Sequence, residues 1–251
     1  MVFLSLYFFA AGLCFGSFFL VVGIRKANKQ SIVFPRSSCP HCHHSLSWRE
    51  LIPVISFLAQ KGKCRHCQNA ISPLYPIMEL ATGCLFLFAF LQVGLTAELF
   101  VALTFISLLM IVTASDIAYM LIPNSVLFFF AVLLIIERAF IPLSPWYDSV
   151  IGAALGFGLL YLIAIISNGG MGGGDIKLYG VIGYVLGVKG FFLSFILASL
   201  FGALFGLFAM ILGKMKRKTP IPFAPFITIG SLLAYFFEQT ITAYYWQLII
   251  S

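Results

Sequence analysis

The chain has 251 residues and a formal net charge of +7, yet it is 61% apolar and only 9% charged. Charged residues make up about a quarter of a soluble domain, so this composition excludes one and points to a chain that crosses a membrane several times. A membrane protein gathers Lys and Arg on its cytoplasmic side, so the positive charge calls for no nucleic acid partner.

The first apolar stretch, residues 2–24, has no basic run before it and no small-residue cleavage site. It reads as a retained span rather than a removed signal peptide. Further apolar runs lie at 76–95, 98–117, 122–141, 149–167, 176–190, 191–213 and 224–248, the sixth short and interrupted by glycine. The expected fold class is an all-α polytopic membrane protein of about eight transmembrane helices. A small extramembrane module separates helices one and two. The expected division is a first helix at 1–24, a module at 25–75 and a bundle at 76–251.

Basic residues orient these spans. Eight of them, from Arg25 to Arg65, follow the first span, and Lys214, Lys216, Arg217 and Lys218 follow the seventh. With eight spans both segments fall on one side, which is the cytoplasm, and the N-terminus lies outside. The same parity puts the loops after the third and fifth spans in the cytoplasm. Those loops carry Asp116 and Asp175.

The module holds Cys39-x2-Cys42 and, 21 residues further, Cys64-x2-Cys67. Two such pairs can close a tetrahedral thiolate site around zinc, and four thiolates leave no open position for catalysis. His41, His43, His44 and His66 also sit here, so a mixed ligand set is open. Two disulfides are the other reading, disfavoured in a reducing compartment. Cys14 and Cys84 fall within spans and read as small buried apolar residues.

Carboxylates are costly in such a chain. Asp175 follows Gly172, Gly173 and Gly174 and precedes Lys177; Asp116 ends the third apolar run. Glycine lets backbone or substrate approach closely, and three in a row are a poor helix. Two carboxylates that share a proton can hydrolyse a peptide bond, one acting as base and the other as acid. Three other readings stay open: a solvated helix end, an ion site of a transporter, and a structural Asp175–Lys177 pair. Glu79 begins the second span on the cytoplasmic side. It either lines the same cavity or sits favourably at a helix N-terminus.

Taken together the motifs resemble the type IV prepilin leader peptidase / N-methyltransferase family of membrane aspartic proteases. They include Gly16-Ser17-Phe18, Pro35-Arg36-Ser37-Ser38-Cys39-Pro40-His41-Cys42, Trp48, Ile52-Pro53 and Gly62-Lys63-Cys64-Arg65-His66-Cys67. They continue with Tyr75-Pro76-Ile77-Met78-Glu79, Asp116 ahead of Ile122-Pro123-Asn124, Gly172 to Lys177, and Pro222-Phe223-Ala224-Pro225. In detail the chain looks like members that process competence pseudopilins in Gram-positive bacteria. The resemblance implies that Asp116 and Asp175 are the catalytic pair and that the four cysteines bind zinc. The substrate it implies is a prepilin or pseudopilin leader, cut after glycine at the cytoplasmic face of the cell membrane. It also implies N-methylation of the new N-terminal residue, usually Phe, with S-adenosylmethionine as methyl donor. The implied setting is assembly of a competence pseudopilus, a type IV pilus or a type II secretion system.

Overall fold

The computed structural model describes residues 1–167, 170–213 and 220–250. The expected basic segment Lys214, Lys216, Arg217 and Lys218 lies outside the described residues. The rest is almost entirely helical, and no strand is found among the described residues. Helices α1 (Val2–Ala27), α3 (Leu74–Val93), α4 (Glu98–Tyr119), α6 (Tyr147–Ile166) and α7 (Gly173–Ile211) are long and apolar enough to cross a membrane. Helix α5 (Asn124–Phe140) has 17 residues, and α8 (Ala224–Ile250) has 27. The chain is thus a multi-pass membrane protein. It forms two compact units, Met1–Tyr119 and Met120–Ser251, each with its own packing.

The first unit is built on glycine. Lipid is as apolar as leucine, so membrane helices associate through close packing, and small residues four apart permit it. Gly12 and Gly16 form such a pair on α1. A Cβ at Gly12 would stand 2.8 Å from Gly83 Cα, and one at Gly16 would stand 2.8 Å from Glu79 Cα. As α1 advances, its partner positions on α3 recede, so the two helices run antiparallel. Phe8 stacks on Phe90 with ring centroids 4.7 Å apart, beside this seam. Gly23 makes the same kind of approach to α4, where a Cβ would lie 2.7 Å from the carbonyl oxygen of Ile111. Cys14 and Cys84, expected to be buried, are exposed. Cys14 is two residues from each glycine of the seam, which turns it to the opposite side of α1.

The connector from α1 to α3 carries the cysteines, a 3-10 turn (Trp48–Leu51) and short helix α2 (Ile55–Ala59). Ser47 and Glu50 cap the 3-10 turn reciprocally: Ser47 N–H and hydroxyl both donate to the Glu50 carboxylate, at 2.9 and 2.7 Å. These bonds, led by the Ser47 N–H, hold the Glu50 carboxyl below its usual range.

The second unit repeats the device. Gly152 and Gly156 on α6 face α7 at Gly183 and Tyr179, whose carbonyls occupy the space a Cβ would need. Helix α8 crosses α7 at Gly230, where a Cβ would meet the Ser194 carbonyl oxygen at 2.7 Å, and the buried hydroxyls of Ser194 and Ser231 bond at 2.8 Å.

The expected sixth and seventh spans, 176–190 and 191–213, form one run of 39 residues broken at Gly187 (φ 75°, ψ −174°). An unbroken helix of that length would reach about 58 Å, nearly twice the hydrocarbon thickness. Only glycine adopts this backbone geometry without strain. A break leaves carbonyls upstream without their helical donors. Arg138, buried near the end of α5, supplies one: its guanidinium donates to the Val185 carbonyl at 3.0 Å. A hydrogen bond from a charged donor is worth about 1.5–3 kcal/mol. Arg138→Ala is expected to destabilise the second unit by about that amount, and Arg138→Lys by less. Thermal unfolding in detergent measures both; an unchanged midpoint for Arg138→Ala would refute the capping role.

Candidate metal centre and acidic sites

Each cysteine pair sits on the same short fold. In the first, Cys39 N–H donates to His44 O (3.0 Å) and His43 N–H to Cys39 O (2.9 Å), with His43 at φ 56°. In the second, Cys64 N–H donates to Asn69 O (2.9 Å) and Gln68 N–H to Cys64 O (2.9 Å), with Gln68 at φ 58°. Isolated bridges Ser38–Ser45 and Lys63–Ala70 close both. The two segments are therefore structural copies, each presenting two thiols from a tight turn.

The copies face each other. Cys39 Sγ lies 3.8 Å from Cys67 Sγ, and Cys42 Sγ lies 3.9 Å from Cys64 Sγ; all four sulfurs fall within 4.8 Å of one another. All four cysteines are free, so the disulfide reading gives way. A tetrahedron with metal–sulfur bonds of about 2.3 Å has edges of about 3.8 Å, so the cage fits a thiolate-bound metal. The histidines are not in this cluster. His44 and His66, one from each copy, lie ring to ring with centroids 3.5 Å apart.

The backbone favours thiolates here. Amides of Cys42 and then His41 pull Cys39 down to about 6, and amides of Cys67 and then His66 lower Cys64. For Cys42 the His44 amide favours the thiolate, but desolvation and the neighbouring sulfurs outweigh it and push the thiol up to about 11. The first cysteine of each copy is thus prepared for a cation, and the metal itself must displace the remaining protons.

Asp116 is buried in the last turn of α4, one residue after Ser115, which lies against Gly23 of α1. Asn28 Nδ2 donates to Tyr119 Oη at 2.6 Å, joining the ends of α1 and α4 beside it. Asp175 belongs to the second unit, in the first turn of α7. The glycine run is less irregular than expected: Gly172 is the N-cap, and Gly173 and Gly174 are already helical. A helix start suits the carboxylate, because its dipole is positive there. Asp175 folds back, so that a Cβ on Gly172 would come 3.1 Å from Oδ2. A Cβ on Gly174 would stand 2.9 Å from Ile122 Cβ, while one on Gly173 would meet nothing within 4 Å. Lys177 Nζ donates to Asn124 Oδ1 at 2.9 Å, a contact that sequence reasoning missed.

Glu79 is buried in α3 beside Gly16, not at a helix end. Its carboxylate accepts from the Val54 N–H at 2.7 Å and contacts the Ser17 hydroxyl. Val54 has φ 61°, ψ −50°, and the Ile55 N–H reaches back to Pro53 O at 2.5 Å. This is a γ-turn of the strained hand, unusual for any residue and more so for a β-branched one. Sequence reasoning found Glu79 but not its partners Ser17 and Val54.

Residues 10–93 match the family model for the bacterial peptidase A24 N-terminal domain, and 103–207 match that for the type IV leader peptidase family. The chain is 49% identical to a prepilin leader peptidase/N-methyltransferase of Bacillus subtilis (strain 168), over 94% of this chain and 96% of that protein. It is 33% identical to a protein of the same name from Aeromonas salmonicida (strain A449), over 88% of this chain and 78% of that protein. For the one from Myxococcus xanthus (strain DK1622) the figures are 35%, 82% and 63%. No solved structure matches the chain.

Protons compete with metal for the same sulfurs, so affinity falls as pH falls. Purified protein is expected to hold its metal at about pH 7.5 and release it to a chelator progressively on acidification, because each sulfur that regains a proton is lost as a ligand. Cys64→Ser should weaken binding at least tenfold. Metal content against pH, in wild type and variant, checks both; affinity that rises on acidification would overturn the thiolate assignment.

Proposed function

This chain belongs to the type IV leader peptidase family, and from that premise we propose that it is a prepilin leader peptidase and N-methyltransferase of the cell membrane. The likeness to the Bacillus protein across nearly the whole of both chains carries the reading. Both family models, N-terminal domain and peptidase, are matched in order. The transporter alternative draws no support from these relatives, whose names are those of a peptidase and methyltransferase.

Asp116 and Asp175 are the catalytic carboxylates in this reading. One, ionised, takes a proton from water as its oxygen attacks the scissile carbonyl carbon. The other, protonated, donates to the carbonyl oxygen; the leaving amine takes up a proton as the C–N bond breaks. No covalent intermediate is needed. Gly172, Gly173, Gly174 and Lys177 form the loop and helix start that meet the substrate. The open space at Gly173 supports that role, because an extended peptide can approach the backbone there.

The substrate is a prepilin or pseudopilin, whose apolar helix keeps its leader junction at the membrane surface. The distribution of Lys and Arg supports a cytoplasmic orientation of both aspartates and of the 25–75 module. Zinc is the metal that four thiolates at these separations favour, and it stiffens the module as a closed structural site. S-adenosylmethionine supplies the methyl group for the second activity.

Asp116→Asn and Asp175→Asn are each expected to slow leader cleavage by about 100- to 10,000-fold while leaving metal content unchanged. Mass spectrometry of a pseudopilin co-expressed with each variant, with elemental analysis of the purified enzyme, reads both. Full cleavage by either variant would remove it from the catalytic pair, and a metal other than zinc would remove the zinc assignment.

A further inference from the structure

Peptide cleavage at pH 7 yields a new N-terminus that is mostly ammonium, because an α-amino group has a pKa of about 7.7–8.0. An ammonium nitrogen has no lone pair to attack a methyl group. The second activity therefore needs a group that binds this cation and takes one proton from it. That group must lie close to the membrane surface, where the cleaved end emerges.

Glu79 is the candidate acid of the first unit for this role. The N-terminal domain match, residues 10–93, contains two acids. Glu50 is committed to Ser47 as a helix cap. Glu79 is the buried one, and a buried carboxylate in a membrane helix marks function by default. Its position is fixed from two sides: Gly16 brings α3 against α1, and the Val54 N–H holds the carboxylate at 2.7 Å. The carboxylate's partners, Ser17 and the Val54 amide, are both hydrogen-bond donors. Val54 offers this amide only by adopting the strained turn, and such outliers persist where a functional arrangement over-determines them. A structural anchor for an amide could have been neutral glutamine; a carboxylate adds a charge that suits a cation. One helical turn earlier lies Tyr75, with Arg25 of α1 and Tyr119 of α4 in electrostatic reach. Asp116 stands near the end of α4.

We propose that Glu79, held by Ser17 and the Val54 amide, binds the α-ammonium of the cleaved pseudopilin and accepts its proton for N-methylation. The ammonium N–H bond breaks and the proton moves to Glu79. The freed nitrogen lone pair forms the N–CH3 bond as the C–S bond of the methylsulfonium donor breaks, leaving a thioether. The secondary ammonium so formed departs, and Glu79 returns its proton to water. The inference rests on the bifunctional reading above.

The test is Glu79→Gln, which keeps an acceptor for the Val54 amide but removes the charge. Enzyme and pseudopilin in liposomes with S-adenosylmethionine are sampled at pH 7 and pH 9, and mass spectrometry reads cleavage and methylation of the same product. Expected are unchanged cleavage, methylation slowed at least tenfold at pH 7, and recovery to within threefold of wild type at pH 9, where solvent deprotonates the amine. Without methyl donor, a peptide bearing the mature N-terminus should bind the variant at least fivefold more weakly at pH 7. Equal methylation by variant and wild type at pH 7, or no recovery at pH 9, would overturn the proposal. Wild type that cleaves without methylating would overturn the bifunctional reading and this inference with it. Should Glu79→Gln lose cleavage too, Glu79→Asp decides: methylation slowed with cleavage intact supports the role, and parallel loss of both refutes it.

Discussion

The absence of a side chain at a few glycines is the constraint on which both units depend. Apolar burial cannot hold helices together in lipid; contact can, and contact is closest where backbone meets backbone. Gly12 and Gly16 let α3 lie on α1, and Gly152, Gly156 and Gly183 let α6 lie on α7. Each seam also positions a polar group. Glu79 is seated directly against Gly16, and Asp175 begins the helix whose next turns carry Tyr179 and Gly183. A methyl group at any of these glycines would push apart the helices that meet there.

The membrane also dictates how irregular backbone is handled. An unpaired carbonyl in hydrocarbon is expensive, so the break at Gly187 comes with an arginine from a neighbouring helix aimed at the Val185 carbonyl. The turn at Val54 follows the same logic in reverse: its amide, turned out of local bonding, is met by a carboxylate rooted in α3. Charged residues inside the apolar segments are few, and these two act on main-chain atoms.

Local patterns were legible in the sequence, and relations across distance were not. The spacing of the four cysteines announced the cage, because each half is a short turn whose ligands are neighbours in the chain. Apolar runs marked the helices within a few residues. Glycine, though, has more than one use: the run before Asp175 suggested open loop, yet Gly173 and Gly174 start α7, where backbone amides lack helical partners in any case. Gly187 rather than Gly190 marks the break, since both residues read alike in sequence. Cys14 and Cys84 looked like core because apolar character in a membrane chain does not separate neighbour-facing from lipid-facing sides. The turn at Val54 was invisible, because its partner lies 25 residues away on another element.

The cage also changes the length of the tether between two helices. Along the chain, α1 and α3 are joined by residues 28–73. With a metal on the four sulfurs, the turns at 39–42 and 64–67 become one node. What remains is a strut at 28–38 leading in and a shorter one at 68–73 leading out. The Val54–Glu79 bond pins the segment between the two turns to α3, so the connection is a bracket held at both ends and in its middle.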